Sequence, residues 1–163
     1  MAWQLRRATV DDLDPIMEIE HAVFPTDAWS RQSMRSELAS THGYYLVAFD
    51  QSTPGEFVGY AGLLAPRGAQ QADIQSLAVV ESARRRGLAR TLVQALVAEA
   101  RDRGAREVFL EVRVDNPAAQ ALYDSLGFER LGVRKGYYQP DNVDGISMRL
   151  TVPAPKTSPA VGS

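Results

Sequence analysis

At Gly87 the apolar residues of this chain change period, and the change falls beside a run of arginines. The segment Leu77-Ala78-Val79-Val80-Glu81-Ser82-Ala83-Arg84-Arg85-Arg86-Gly87-Leu88-Ala89-Arg90 passes from an apolar strand into a basic turn. Beyond it Leu88, Leu92 and Leu96, with Val93, Val97 and Ala100 beside them, share one helix face. A strand handed to a helix through such a turn suits a pyrophosphate. The first helical turn leaves N–H groups unpaired and carries partial positive charge, while Gly87 and Ala89 put no bulk over the backbone. Read alone, the segment also fits a solvated helix start or a nucleic-acid patch built on Arg84 to Arg86. No comparable basic run or aromatic stacking platform supports nucleic acid, and the net charge is -2. Neither nucleotide fingerprint fits: there is no Gly-Lys-Ser/Thr, and one glycine stands where a dinucleotide turn needs three.

The rest of the chain surrounds this step with strands and helices. Trp3 to Arg7 reads as a strand, and Thr9-Val10-Asp11-Asp12 has capping-box spacing for a helix carrying Leu13, Ile16, Met17 and Glu20. Phe24 to Trp29 breaks that helix, and Ser30 caps a second one to about Ala39. Strands are expected over Tyr44 to Asp50, Glu56 to Leu64, Ala72 to Val79 and Glu107 to Val112. Asn116 caps a helix bearing Ala118, Ala121, Leu122 and Leu126; Gly127 ends it, and strands follow over Phe128 to Val133 and Ile146 to Leu150.

A chain of 163 residues is one domain's worth, expected over 1–150, and residues 151–163, with three prolines, read as a disordered tail. There is no cysteine, which removes disulfides, thiolate zinc sites and an acyl-cysteine intermediate. The two histidines, His21 and His42, are far apart, so no metal is expected. No leader-like apolar segment or membrane-length stretch is present; the expectation is a cytoplasmic protein without membrane contact.

The residues resemble the GCN5-related N-acetyltransferases (GNAT), whose coenzyme A loop reads Gln/Arg-x-x-Gly-x-Gly/Ala; here it is Arg84-Arg85-Arg86-Gly87-Leu88-Ala89. The resemblance extends over nearly the whole folded part, through Asn116 and Tyr123-Asp124-Ser125-Leu126-Gly127-Phe128. Leu110-Glu111-Val112-Arg113, Ala121-Leu122-Tyr123, Arg134-Lys135-Gly136-Tyr137-Tyr138 and Phe24-Pro25 before Trp29-Ser30 resemble its bacterial ribosomal-protein-alanine N-acetyltransferase subgroup. Asp144-Gly145-Ile146-Ser147-Met148 departs from the pattern, in which Asp-Ala precedes an apolar residue. The resemblance implies an α+β fold with a central mixed β-sheet, flanked by helices and splayed where acetyl-coenzyme A enters. It implies backbone contacts to the pantetheine arm from Leu77, Ala78 and Val79. Arg84, Arg85, Arg86, Gly87, Leu88, Ala89 and Arg90 would form the pyrophosphate cradle, and Asn116 would be a further coenzyme contact. It implies Glu111 as proton acceptor, Tyr123 as proton donor, and a protein N-terminal α-amine, ribosomal-protein alanine first, as acceptor.

The chemistry is consistent with that assignment. With no cysteine, direct attack of the amine on the thioester in a ternary complex is the simpler route. An α-amine has a pKa near 8 and lysine near 10.4, so neutralising lysine at pH 7 costs roughly 3 kcal/mol more. A carboxylate of ordinary pKa near 4.3 is a weak base for either unless burial or an ordered water assists Glu111. Plainer readings stand beside these. Alternation alone puts Glu111 on a solvated strand face, and Tyr123 fits a packed helix aromatic. Trp29, Tyr137 and Tyr138 fit either an acceptor groove or ordinary aromatic packing. The alternatives for function are a lysine or small-molecule amine as acceptor, or a coenzyme A-binding interaction module with little catalysis.

Overall fold

The computed structural model describes residues 3–153. Seven strands form one sheet: β1 (Trp3–Arg7), β2 (Gly43–Asp50), β3 (Phe57–Leu64), β4 (Gln71–Val79), β5 (Glu107–Arg113), β6 (Glu129–Tyr138) and β7 (Val143–Thr151). Their order is β1-β2-β3-β4-β5-β7-β6. Strands β4 and β5 pair in parallel and the other neighbours are antiparallel, giving the mixed sheet that the resemblance implied.

Helices cover both faces. β2 shows how the sequence prescribes this: Leu46 and Ala48 enter one core, while the alternate residues Tyr45 and Val47 enter the other. Helix α3 (Leu88–Asp102) lays Leu88, Leu92, Val93, Leu96 and Ala100 into the first core, which also takes in Tyr123 of α4 (Pro117–Ser125). Helices α1 (Leu13–Val23) and α2 (Arg31–Ala39) close the second core through Leu13, Ile16, Met17, Ile19 and Met34. No helix among the described residues is long and apolar enough to cross a membrane.

The caps follow the sequence. Thr9 and Asp12 form a reciprocal capping box, although its first turn, Val10–Asp12, is a 3-10 turn leading into α1. Ser30 Oγ accepts from the Ser33 N–H, and Asn116 Oδ1 from the Ala119 N–H. Two boundaries differ from expectation. β6 runs to Tyr138, because the edge strand keeps pairing with β7 through register shifts after its apolar alternation stops. The packed chain also continues past Leu150: Thr151 lies in β7, Val152 is buried, and its N–H donates to the Arg106 carbonyl at 2.8 Å. The rest of the expected tail, 154–163, lies outside the described residues.

The decisive feature for the site is how briefly β4 and β5 stay together. They pair only over Gln71 to Asp73 and Glu107 to Phe109. Beyond that β4 pairs with β3 and β5 with β7, so the sheet opens between Ile74 to Val79 and Leu110 to Arg113. Gln75 has no register partner in β3, where Gly62 faces Ser76 and Leu63 faces Ile74; a bulge there bends β4 at the opening.

Candidate active site

The parted strands bound a cleft of about 380 Å³. Ile74, Gln75, Ser76 and Leu77 form its β4 wall, and Leu110, Glu111 and Arg113 its β5 wall. Tyr123 of α4 and Asn116 at its N-cap border it, as do Trp29 and Glu20, and Tyr137 and Tyr138 from the end of β6. The cleft thus brings together Leu77, Glu111, Asn116 and Tyr123 with all three aromatic acceptor candidates.

Alternation along β5 buries Val108, Leu110 and Val112 and leaves Glu107, Phe109, Glu111 and Arg113 on the other face. The splay turns that face at Glu111 into a cleft wall. Ser147 donates its hydroxyl to Glu111 Oε2 at 3.2 Å, Tyr137 donates to Oε1 at 3.4 Å, and Arg134 Nε stands 4.0 Å from Oε2. Gly145 marks the departure from the family pattern. A Cβ there would stand 3.2 Å from ring atoms of both Tyr137 and Tyr138, so glycine lets the two rings close over the strand. Burial, then the Glu111 charge, raises the Tyr137 phenol pKa.

Tyr123 is buried, edge-on to Phe128 with ring centroids 5.6 Å apart. Its hydroxyl has no hydrogen-bond partner among the described residues, and burial raises its pKa well above that of an ordinary phenol. Tyr138 lies edge-on to Tyr137 at 4.9 Å with the Arg113 guanidinium 5.3 Å from its ring. Arg113 also binds Asp27 and Asp115 at 2.9 Å, with Asp141 at 3.5 Å, tying together three loops around the opening.

The basic turn lies outside this cleft, where β4 passes into α3. Arg85 and Gly87 both have left-handed φ, 66° and 78°, and Gly87 is the N-cap of α3 without a side-chain cap. The first N–H groups of the helix therefore have no intrahelical or capping partner. A Cβ built on Gly87 would meet nothing within 4 Å, so the ground over the helix start is open. The side chains of Ala78, Val79 and Leu88 are core, leaving only their backbone to face a ligand; Leu77 and Ala89 are half-buried. Arg84 Nε donates to the Val79 carbonyl at 3.0 Å and braces the turn, while Arg90 donates to Ser125 Oγ at 2.7 Å and ties the start of α3 to the end of α4. An open, uncapped helix start at the end of a splayed strand fits a long ligand with an anionic end.

The sequence pattern of the acetyltransferase (GNAT) family matches residues 13–128. The chain belongs to the GNAT family. It is 36% identical over 141 residues to the N-alpha-acetyltransferase RimI of Mycobacterium tuberculosis, covering 85% of each chain. It is 32% identical over 126 residues to the ribosomal protein bS18-alanine N-acetyltransferase of Escherichia coli, covering 76% of this chain and 81% of that one. The crystal structure of the Escherichia coli ribosomal-protein-S18-alanine N-acetyltransferase superposes with a TM-score of 0.83 at 27% identity, over 97% of this chain and 98% of that one.

Sequence reasoning passed over Glu20 as a site residue. It sits on α1 in phase with Leu13, Ile16 and Met17, yet its carboxylate is buried at the cleft and accepts from the Trp29 N–H at 2.8 Å and from the Tyr60 hydroxyl. The signal was present: an acidic residue at a core position of an amphipathic helix must have a specific environment to face. Arg113 was visible only as part of a motif, because its partners Asp27 and Asp141 are distant in sequence.

Proposed function

We propose that this GNAT protein works in the cytoplasm and transfers the acetyl group of acetyl-coenzyme A to the N-terminal α-amine of a protein, with the N-terminal alanine of a small-subunit ribosomal protein as the leading acceptor. The observation that carries the reading is the convergence of Glu111 and Tyr123, from different elements, on the cleft opened by the splay of β4 and β5. The similarity to relatives named for N-terminal and ribosomal-protein-alanine acetylation supports the acceptor class.

Bound acetyl-coenzyme A would supply an activated thioester acyl group. The edge of β4 from Leu77 to Val79, which β5 leaves unpaired, faces a pantetheine arm, and the uncapped start of α3 at Gly87 to Arg90 receives the pyrophosphate, with Arg84, Arg85 and Arg86 adding positive charge. Asn116 spends its Oδ1 on the helix cap and keeps its amide NH₂ for the coenzyme.

The acceptor amine must lose a proton before it attacks. Glu111 takes that proton, directly or through a water, while Ser147 and Tyr137 hold its carboxylate in place. Tyr123 protonates the departing thiolate. Burial raises the phenol pKa, which keeps Tyr123 protonated until a basic thiolate forms beside it to take the proton. Trp29, Tyr137 and Tyr138 line the acceptor's approach. Mass spectrometry of peptides incubated with the protein and acetyl-coenzyme A tests the reading: an N-terminal-alanine peptide should gain one acetyl group at its α-amine. Modification confined to lysine side chains would sink it.

A further inference from the structure

Three carboxylates bound the cleft, and they are compensated differently. Asp27 faces the Arg113 guanidinium at 2.9 Å, and Glu111 has Arg134 at 4.0 Å. Glu20 is only 1% exposed, yet forms no salt bridge among the described residues. Its contacts are neutral donors, the Trp29 N–H at 2.8 Å on Oε2 and the Tyr60 hydroxyl on Oε1, the latter backed by Ser76 Oγ at 2.6 Å from Tyr60. Two donors leave acceptor capacity on a carboxylate. Burial pushes the Glu20 carboxyl above its ordinary range and the Asp27 charge adds to this, whereas its two donors, and more weakly His21, favour the anion.

A buried carboxylate with no salt-bridge partner is a costly arrangement, and a cation that arrives beside it offsets that cost. The α-amine of an acceptor carries one positive charge and three N–H donors below its pKa near 8. We propose that Glu20 is the counter-charge for the α-ammonium of the incoming acceptor, so that the cleft selects a free, charged N-terminus over a neutral or blocked one. This deepens the reading of the cleft as the site of a protein N-terminus and rests on it. The division of labour is physical: Glu20 holds the ammonium as it enters, and Glu111 takes the proton that must leave before attack. The Trp29 N–H and Tyr60 keep the Glu20 carboxylate aimed from α1 across to β4.

The test is a comparison of two peptides in calorimetry with coenzyme A present, which has no acyl group to transfer. One peptide begins with alanine; the other has lactic acid in its place, a hydroxyl where the ammonium was. At about pH 6.5 the wild-type protein should prefer the ammonium peptide roughly 10- to 100-fold, the worth of a charge-assisted contact. Glu20→Gln keeps an oxygen for the Trp29 N–H but removes the charge, and should reduce that preference to about twofold or less while affinity for the hydroxyl peptide stays unchanged. Equal affinities in the wild type overturn the proposal without any variant. So does a Glu20→Gln protein that keeps the full preference, or a preference lost only in Glu111→Gln. Turnover separates this from the functional reading: a protein that acetylates N-terminal alanine without discriminating sinks the counter-charge alone, and one that discriminates without any turnover sinks the reading beneath it.

Discussion

The two proton carriers of the proposed reaction meet different surroundings. Tyr123 is buried beside the cleft and its hydroxyl has no hydrogen-bond partner among the described residues, so its phenol stays protonated and ready to donate. Glu111 is held by two hydroxyls at 3.2 and 3.4 Å on a cleft wall. Glu111→Gln keeps shape and removes the base; its turnover defect should shrink as pH rises through the α-amine pKa near 8, where solution supplies more neutral amine. Tyr123→Phe keeps the ring and should lower turnover by roughly 10²- to 10⁴-fold without rescue at high pH. Paired pH–rate profiles on an N-terminal-alanine peptide check both, and near-wild-type rates for the two variants would remove the assigned roles. Both residues were legible only with help from the motif around them. Alternation placed Glu111 correctly on the face opposite Leu110, but whether that face meets water or a cleft depends on where β4 goes.

Among the elements, the start of α3 carries the sharpest prediction. Gly87→Ala and Gly87→Glu both force a side chain into left-handed backbone, costing about 1–2 kcal/mol of stability. The open space above Gly87 accepts a methyl group, so Ala should bind acetyl-coenzyme A nearly normally, whereas a carboxylate over the helix start should weaken binding by roughly tenfold or more. Equal affinities for the two in calorimetry would mean that the phosphates sit elsewhere. At the other end of the chain, Asp12 closes the capping box with the Thr9 N–H at 2.9 Å and pairs with Arg6 at 2.8 Å. The Arg6 guanidinium, with the Thr9 N–H, holds its carboxyl below the ordinary 3.8. A depressed folded-state pKa contributes stability above the unfolded value, and that contribution is lost as pH falls through the folded one. Asp12→Asn should therefore lower stability by about 1 kcal/mol at pH 7, and urea titrations should show the gap to wild type closing below about pH 3.8. These caps and the period change at Gly87 depend on residues close in sequence, which is why they could be read in advance.

For the molecule as a whole, long-range ties assemble the site. Arg113 joins Asp27 before α2, Asp115 before α4 and Asp141 between β6 and β7. Arg113→Ala releases those loops and leaves Asp27 without its cation, so KM for the acceptor peptide should rise several-fold while acetyl-coenzyme A affinity stays near wild type. Steady-state and binding measurements together test the split; a parallel loss of coenzyme affinity would show that Arg113 supports the whole sheet. The chain end offers a second test at this scale. Truncation after Leu150 removes a ladder strand residue and the buried Val152, and should cost about 1.5–3 kcal/mol in thermal unfolding, whereas a chain ending at Pro153 keeps both. The sequence by itself determined the element types, the caps, the alternation that feeds two cores and the anion-ready helix start, because each depends on neighbours within a turn or a strand. Only the tertiary structure decided that β4 and β5 part after Asp73 and Phe109, that the opening receives Glu111, Tyr123 and the aromatics at once, and that Glu20 stands among them without a salt bridge among the described residues. Those facts belong to contacts between residues far apart along the chain, whose closeness is set by the packing of two cores and by no local preference.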